Sequence, residues 1–116
     1  MANLKSIIKK LIKEESNQNF DVDKLDAGKI AKKFKINPLF ARSLVVGLRY
    51  ANAQQESDNY DAVNKYFKQN IINFYMDAIK NKPKTIALHA KKRNIPIEDF
   101  KSAIIKLSKV ELKDLI

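Results

Sequence analysis

The 116-residue chain has no cysteine and no tryptophan, one histidine, two glycines and three prolines. The missing cysteines exclude disulfides, thiolate metal sites and cysteine nucleophiles. A single imidazole excludes a multi-histidine metal centre, and two glycines exclude the glycine-rich phosphate loops of nucleotide-binding folds. No apolar run approaches the roughly 18 residues of a membrane-spanning helix. The lysine-bearing N-terminal stretch lacks a continuous apolar segment ahead of a small-residue cleavage site, so no secretory signal is expected. The neighbouring acids Glu14–Glu15 and Glu98–Asp99 do not share a helix face, which leaves no paired carboxylates for acid–base work. The expectation is a cytoplasmic protein that is not an enzyme, holds no metal or cofactor and does not enter a membrane.

What is present is charge of one sign. Lys and Arg number 23 against 13 Asp and Glu, a formal net charge of +10. At 45% apolar residues the chain can still bury a core, so wholesale disorder is not expected. Lys, Asn and Ile are heavily used and only three of the basic residues are Arg. That bias fits an AT-rich coding genome and lowers the weight of bare net charge. A basic protein with an acidic partner is the leading class.

Apolar residues recur at helical spacing throughout, and β-branched alternation is rare. Leu4, Ile7, Ile8, Leu11 and Ile12 form one face of a first helix. A short helix is expected from about Ala27 to Phe34 behind the N-cap Asp26. Asn37-Pro38 opens another, a cap followed by proline at the first helical position, running to about Gln54. The longest helix spans about Asp58 to Lys80. A short one follows from about Ile86 to Arg93, capped by Thr85. Pro96 starts the next, ending near Lys109, and a last turn runs from Val110 to Ile116. The fold expected is all-α, one compact domain over residues 1–116 with about six helices.

A shift of 59 residues aligns two segments without a gap. Ala31-Lys32-Lys33 falls on Ala90-Lys91-Lys92, Ile36 on Ile95, Ser43 on Ser102 and Leu48 on Leu107. Val45-Val46 falls on Ile104-Ile105. The organisation expected is two pseudo-repeated tri-helical units, about 1–55 and 58–110, sharing the long central helix.

The stretch Leu25-Asp26-Ala27-Gly28-Lys29-Ile30-Ala31-Lys32-Lys33-Phe34-Lys35-Ile36-Asn37 resembles the first helix and turn of a helix-turn-helix DNA-binding unit. Ala31 is small enough for two helices to cross closely. Ile30, Phe34 and Ile36 fill the wedge between them, and Asn37 caps the second helix. Lys35 departs from the pattern, standing where the motif usually has a left-handed glycine. Residues Thr85 to Leu107 resemble the same unit less closely, with His89 at the place of Ile30, Asn94 at the turn and Pro96 at the cap. The resemblance covers about half the chain. It implies duplex DNA contact through the exposed N-terminal half of the second helix of each unit.

The charge is not spread evenly. Between Asp26 and Glu56 there is no acid and six bases, Lys29, Lys32, Lys33, Lys35, Arg42 and Arg49. Between Asp77 and Glu98 there is again no acid and six bases, Lys80, Lys82, Lys84, Lys91, Lys92 and Arg93. A polyanion repels carboxylates from its footprint, which accounts for the absence as well as the excess.

On a helical wheel Phe40, Ala41, Leu44, Leu48 and Ala51 share an inward arc, and Arg42, Ser43, Val46 and Arg49 an outward one. Arg42 and Arg49 are expected to contact bases or backbone, since guanidinium suits bidentate contact with guanine or phosphate. Ser43 adds a hydrogen bond. Lys29, Lys32, Lys33 and Lys35 are expected on phosphates, as are Lys84, Lys91, Lys92 and Arg93 of the second unit. That unit's last helix opens with Glu98 and Asp99, poor neighbours for phosphate, so it is expected to hold backbone rather than read bases.

In the central helix Tyr60, Val63, Phe67, Ile71, Phe74 and Ala78 form one apolar stripe. Ile72, Met76 and Ile79 form a second, with Tyr75 between them. The helix is read as the spine of both halves, with a homodimer interface as the alternative. His89 is read as a partly buried edge of the core without a catalytic role. The functional expectation is a small double-stranded-DNA-binding protein, a transcriptional regulator or a replication or partition accessory. The alternative is an adaptor or inhibitor that docks its basic helical surface on an acidic protein partner.

Overall fold

The computed structural model describes residues 21–53 and 60–116, so the expected first helix and the polar stretch after Ala53 lie outside the described residues. Among the described residues there are five helices and no strand. None is long and apolar enough to cross a membrane.

A short 3-10 turn, Val22–Lys24, precedes α1 (Ala27–Phe34). Asp26 caps α1 from extended backbone, its Oδ1 accepting the Lys29 N–H at 3.1 Å. Such a cap satisfies one of the amides that a helix start leaves without a partner. The C-terminus of α1 closes at Lys35, which is left-handed (φ 55°, ψ 52°). The Ile36 N–H then reaches back to the Ala31 carbonyl at 3.0 Å. This is the six-to-one bond of a Schellman turn. Two residues later α2 (Pro38–Ala53) begins. Pro38 takes the position where its missing N–H costs nothing, and Asn37 Oδ1 accepts the Leu39 N–H at 2.8 Å. Ile30, Ala31 and Ile36 are buried between the two helices, and all five residues of the inward arc of α2 are buried.

The central helix α3 spans 60–81 and is α-helical at Tyr60–Tyr66 and Phe74–Asn81, with a π-helical stretch, Phe67–Asn73, between. The π stretch advances the register by a residue relative to 3.6 spacing. Phe74, expected on the principal stripe, is 42% exposed, whereas Tyr75, expected beside it, is 8% exposed and faces the core. Val63, Phe67, Ile71, Ile72 and Ala78 complete the buried side.

Helix α4 (Pro83–Lys92) starts three residues earlier than expected. Thr85 lies inside it and is not its cap; Pro83 occupies the first position and Lys82 precedes it without a side-chain cap. Its C-terminus repeats the α1 ending. Asn94 has φ 55°, and the Ile95 N–H bonds to the Ala90 carbonyl at 3.0 Å. Helix α5 (Ile97–Leu107) and a 3-10 turn, Leu112–Leu115, complete the chain. Glu111 and Asp114 form a reciprocal capping box on that turn.

One cluster of buried side chains runs from Val22 to Leu115. At its centre the fully buried Phe100 ring meets Phe40 and Tyr75 edge-on, with both centroids 5.2 Å away. Three helices are thereby tied together by burial, with a small added preference for edge-to-face ring geometry.

Candidate nucleic-acid interface

The lysines expected on phosphate are at the surface. Lys29, Lys32, Lys33 and Lys35 are exposed on α1 and its turn, and Lys84, Lys91 and Lys92 are exposed on α4. Two of the first group touch the C-terminal part of the chain at the turn. Lys33 Nζ donates to the Asp114 carbonyl at 2.6 Å, and the Lys35 carbonyl accepts from Lys106 Nζ at 2.7 Å. The side chains of Lys29 and Lys32 make no hydrogen bond or ion pair among the described residues, and both residues are exposed.

The three arginines differ in surroundings. Arg42 is exposed on the outward arc of α2 and has no ion-pair or hydrogen-bond partner among the described residues. Arg49 is exposed but holds the N-terminal 3-10 turn, donating to the carbonyls of Val22 (3.4 Å) and Leu25 (3.3 Å). Two of its five N–H donors are thus engaged and three are left. Arg93 is drawn inward. Its Nε donates to Ser43 Oγ at 2.9 Å, one amino group donates to the His89 carbonyl at 3.0 Å, and the other to Tyr75 Oη at 3.4 Å. The guanidinium also lies 5.8 Å from the Phe100 ring centroid. Arg93 thereby joins α2, α3, α4 and α5. Ser43, expected to face outward, is half-buried and serves as its acceptor, keeping its own hydroxyl proton for donation.

His89 belongs to the same network. An arginine can only donate, and one Arg93 amino group lies 3.4 Å from His89 Nδ1, so Nδ1 presents its lone pair. The Tyr75 hydroxyl, 2.9 Å away, therefore donates to it. Burial, followed by the Arg93 and Lys92 charges, holds the His89 pKa below its ordinary value. Burial raises the Tyr75 pKa, with the Arg93 charge opposing. Both shifts favour the neutral pair.

The outward arc of α2 is less polar than its charge suggests. Leu39, Val46 and Tyr50 are 45%, 61% and 63% exposed. They lie at i, i+7 and i+11, one stripe of a helix with Arg42 beside it. Val46 was expected there; Leu39 and Tyr50 were not, although the same wheel places them on this arc.

Folding also brings acid close to the first acid-free window. Asn37 Nδ2 donates to Asp99 Oδ2 at 3.3 Å, putting a carboxylate beside the N-terminus of α2. Asp99 is next in sequence to Phe100, whose ring packs on Phe40 of the buried arc of α2. A cavity of about 100 Å³ lies between Ser43, Gly47, Asn70 and Arg93, and within it Ser43 and Arg93 are bonded to each other. Among the described residues no cluster of three or more acids or histidines could hold a metal. No protein-family model matches the chain, and no curated protein or solved structure matches it.

Proposed function

We propose that this protein binds duplex DNA, with α1, its left-handed turn and α2 acting as a helix-turn-helix unit and α2 entering the major groove. The observation that carries the reading is the pairing of an unpartnered Arg42 on the outward face of α2 with exposed Lys29 and Lys32 on α1, in a two-helix unit that carries no acid after its cap. Guanidinium at a groove-facing position suits guanine or phosphate, and lysines on the preceding helix suit the flanking backbone. Lys35, whose ammonium group has no internal bond, and Lys33 and Arg49, through the donors their internal bonds leave over, supply further phosphate contacts. In the second unit Lys84, Lys91 and Lys92 touch backbone, while Arg93 and Ser43 stay in the internal network and support α2 from behind. The two units act as an internal pseudo-repeat, and the biological setting proposed is transcription, replication or partition.

Fluorescence anisotropy on a labelled duplex tests this. With four to six phosphates neutralised, log K falls against log salt with a slope of about −4 to −5. Lys32→Ala weakens every sequence alike, and Arg42→Ala relaxes sequence preference. Absence of duplex binding at about 50 mM salt, where the electrostatic attraction is strongest, sinks the reading.

A second reading, docking onto an acidic protein, is favoured by the exposure of Leu88 on α4 and Phe74 on α3, outside the helix-turn-helix unit. Exposed apolar side chains on a basic surface suit a protein interface. Duplex affinity separates the two readings, because a protein-docking surface has no steep salt slope on DNA.

A further inference from the structure

We infer that the outward face of α2 reads thymine methyl groups, so that the ligand of this site is an A·T-rich major groove. The inference rests on the duplex-binding reading above and names what that surface selects. A base-reading helix built for hydrogen bonds would expose Asn, Gln, Arg and Ser. Helix α2 exposes Leu39, Val46 and Tyr50 in one stripe, with Arg42 as the sole unpartnered charged side chain on that arc among the described residues. Ser43, the remaining small polar residue, is engaged with Arg93.

Only one base presents an apolar group in the major groove, the C5-methyl of thymine. The first two and a half turns of α2, which in such a unit lie deepest in the groove, carry Leu39 and Val46. Leaving these side chains against water in the complex forfeits apolar burial, whereas seating them on methyls recovers it. Charge complementarity fixes the class of partner. The apolar stripe shares its helix with Arg42 and Arg49, and the preceding helix α1 carries Lys29 and Lys32, with no carboxylate on either helix. The nearby carboxylate of Asp99, on another helix, is engaged by Asn37 Nδ2.

The experiment compares alternating dA–dT duplex with the same polymer carrying deoxyuridine, which lacks only the methyl group. Wild-type protein and Val46→Ala are titrated on both at low salt. Val46 is largely exposed and alanine is a better helix former, so the variant keeps the fold. The expected result is a weakening of about fourfold or more for wild type on the deoxyuridine polymer, the transfer value of one methyl-sized group. In Val46→Ala the difference between the polymers shrinks. Equal wild-type affinity for both polymers overturns methyl readout while leaving phosphate-driven duplex binding intact. A methyl preference that persists unchanged in Val46→Ala and in Leu39→Ala assigns it to duplex shape and overturns the inference too. No binding to either polymer removes the duplex reading and the inference with it, and leaves the stripe to a protein partner.

Discussion

The turns at Lys35 and Asn94 share a backbone and differ in almost everything around it. Both residues sit at φ 55°, and both are followed by an isoleucine whose N–H reaches back five residues. Past the first turn the chain continues into a helix that opens with a capping Asn37 and carries no acid. Past the second it continues into a helix whose first turn holds Glu98 and Asp99. The arginine associated with the first turn, Arg42, faces solvent, whereas Arg93, just before the second, is absorbed into the junction of four helices. The same local device therefore serves two ends. At Lys35 it leads into a helix whose outward face, with Arg42, is open to solvent. In the second unit it sets a side chain where it holds that helix in place. Sharing a turn geometry does not make two units share a role, because side chains two or three positions away decide what the turn presents.

The largest expected effect breaks the comparison at its arginines. Arg93→Met keeps the length of the side chain and removes its donors, leaving Ser43, the His89 carbonyl and Tyr75 without their partner. Hydrogen bonds to a charged group are worth about 1.5–3 kcal/mol each, and partial exposure reduces the sum. A loss near 2 kcal/mol is expected as a lower urea midpoint. Arg42→Ala, on the open face, is expected within about 0.5 kcal/mol of wild type. Equal midpoints for the two variants would show that the Arg93 network contributes nothing to stability and that both arginines are surface residues.

A smaller effect probes the residue that stands where Ile30 stands in the first unit. Ile30 is a buried hydrocarbon, but His89 titrates. Its neutral form accepts the Tyr75 hydroxyl and avoids a second positive charge beside Arg93. The folded pKa is therefore lowered below the ordinary 6.5. Between the two values the unfolded chain binds the proton that the folded chain refuses, so stability is full above about pH 6.5 and declines as pH falls toward the folded pKa. Thermal melting across that window reads the decline. His89→Gln keeps an acceptor and cannot titrate, so its melting temperature should be flat there; a slope equal to wild type assigns the dependence to another group.

Much of the first unit was legible in the residues. The limits of α1, the cap at Asp26, the Asn37-Pro38 start and the special place of Lys35 all follow from local chemistry that acts over three or four positions. The failures lie where local rules stop. A wheel drawn at 3.6 residues per turn put Phe74 inside and Tyr75 aside, and the π stretch reversed them. Thr85 has the chemistry of a cap, but Pro83 already starts the helix, as Pro38 starts α2, and leaves Thr85 inside it. The partners of Arg49 and Arg93 are carbonyls, Ser43 and Tyr75, most of them on other elements, which helical spacing along one helix does not register. Asp99 reaches Asn37 across 62 positions, which no window of charge can register. The candidate surface was legible in its lysines and in Val46; that Ser43 and Arg93 bind each other depended on how the helices pack.

The smallest expected effect returns to the turns themselves. A left-handed conformation brings Cβ against the following carbonyl in most residues, at a cost of about 1 kcal/mol, which glycine does not incur. Asparagine tolerates the region through local hydrogen bonding, and lysine has no such compensation. Lys35→Gly should therefore stabilise the fold by about 0.5–1 kcal/mol, part of the relief being offset by the extra freedom glycine has in the unfolded chain. Asn94→Gly should stabilise it by less than about 0.5 kcal/mol for the same reason. The Lys35 carbonyl that accepts Lys106 Nζ is main-chain and survives the change. If Lys35→Gly raises the urea midpoint while lowering duplex affinity, the lysine is kept at a strained position for its charge. A raised midpoint with affinity unchanged would instead mean that its ammonium group takes no part in binding, leaving the phosphate contacts of this unit to Lys29, Lys32, Lys33 and Arg49.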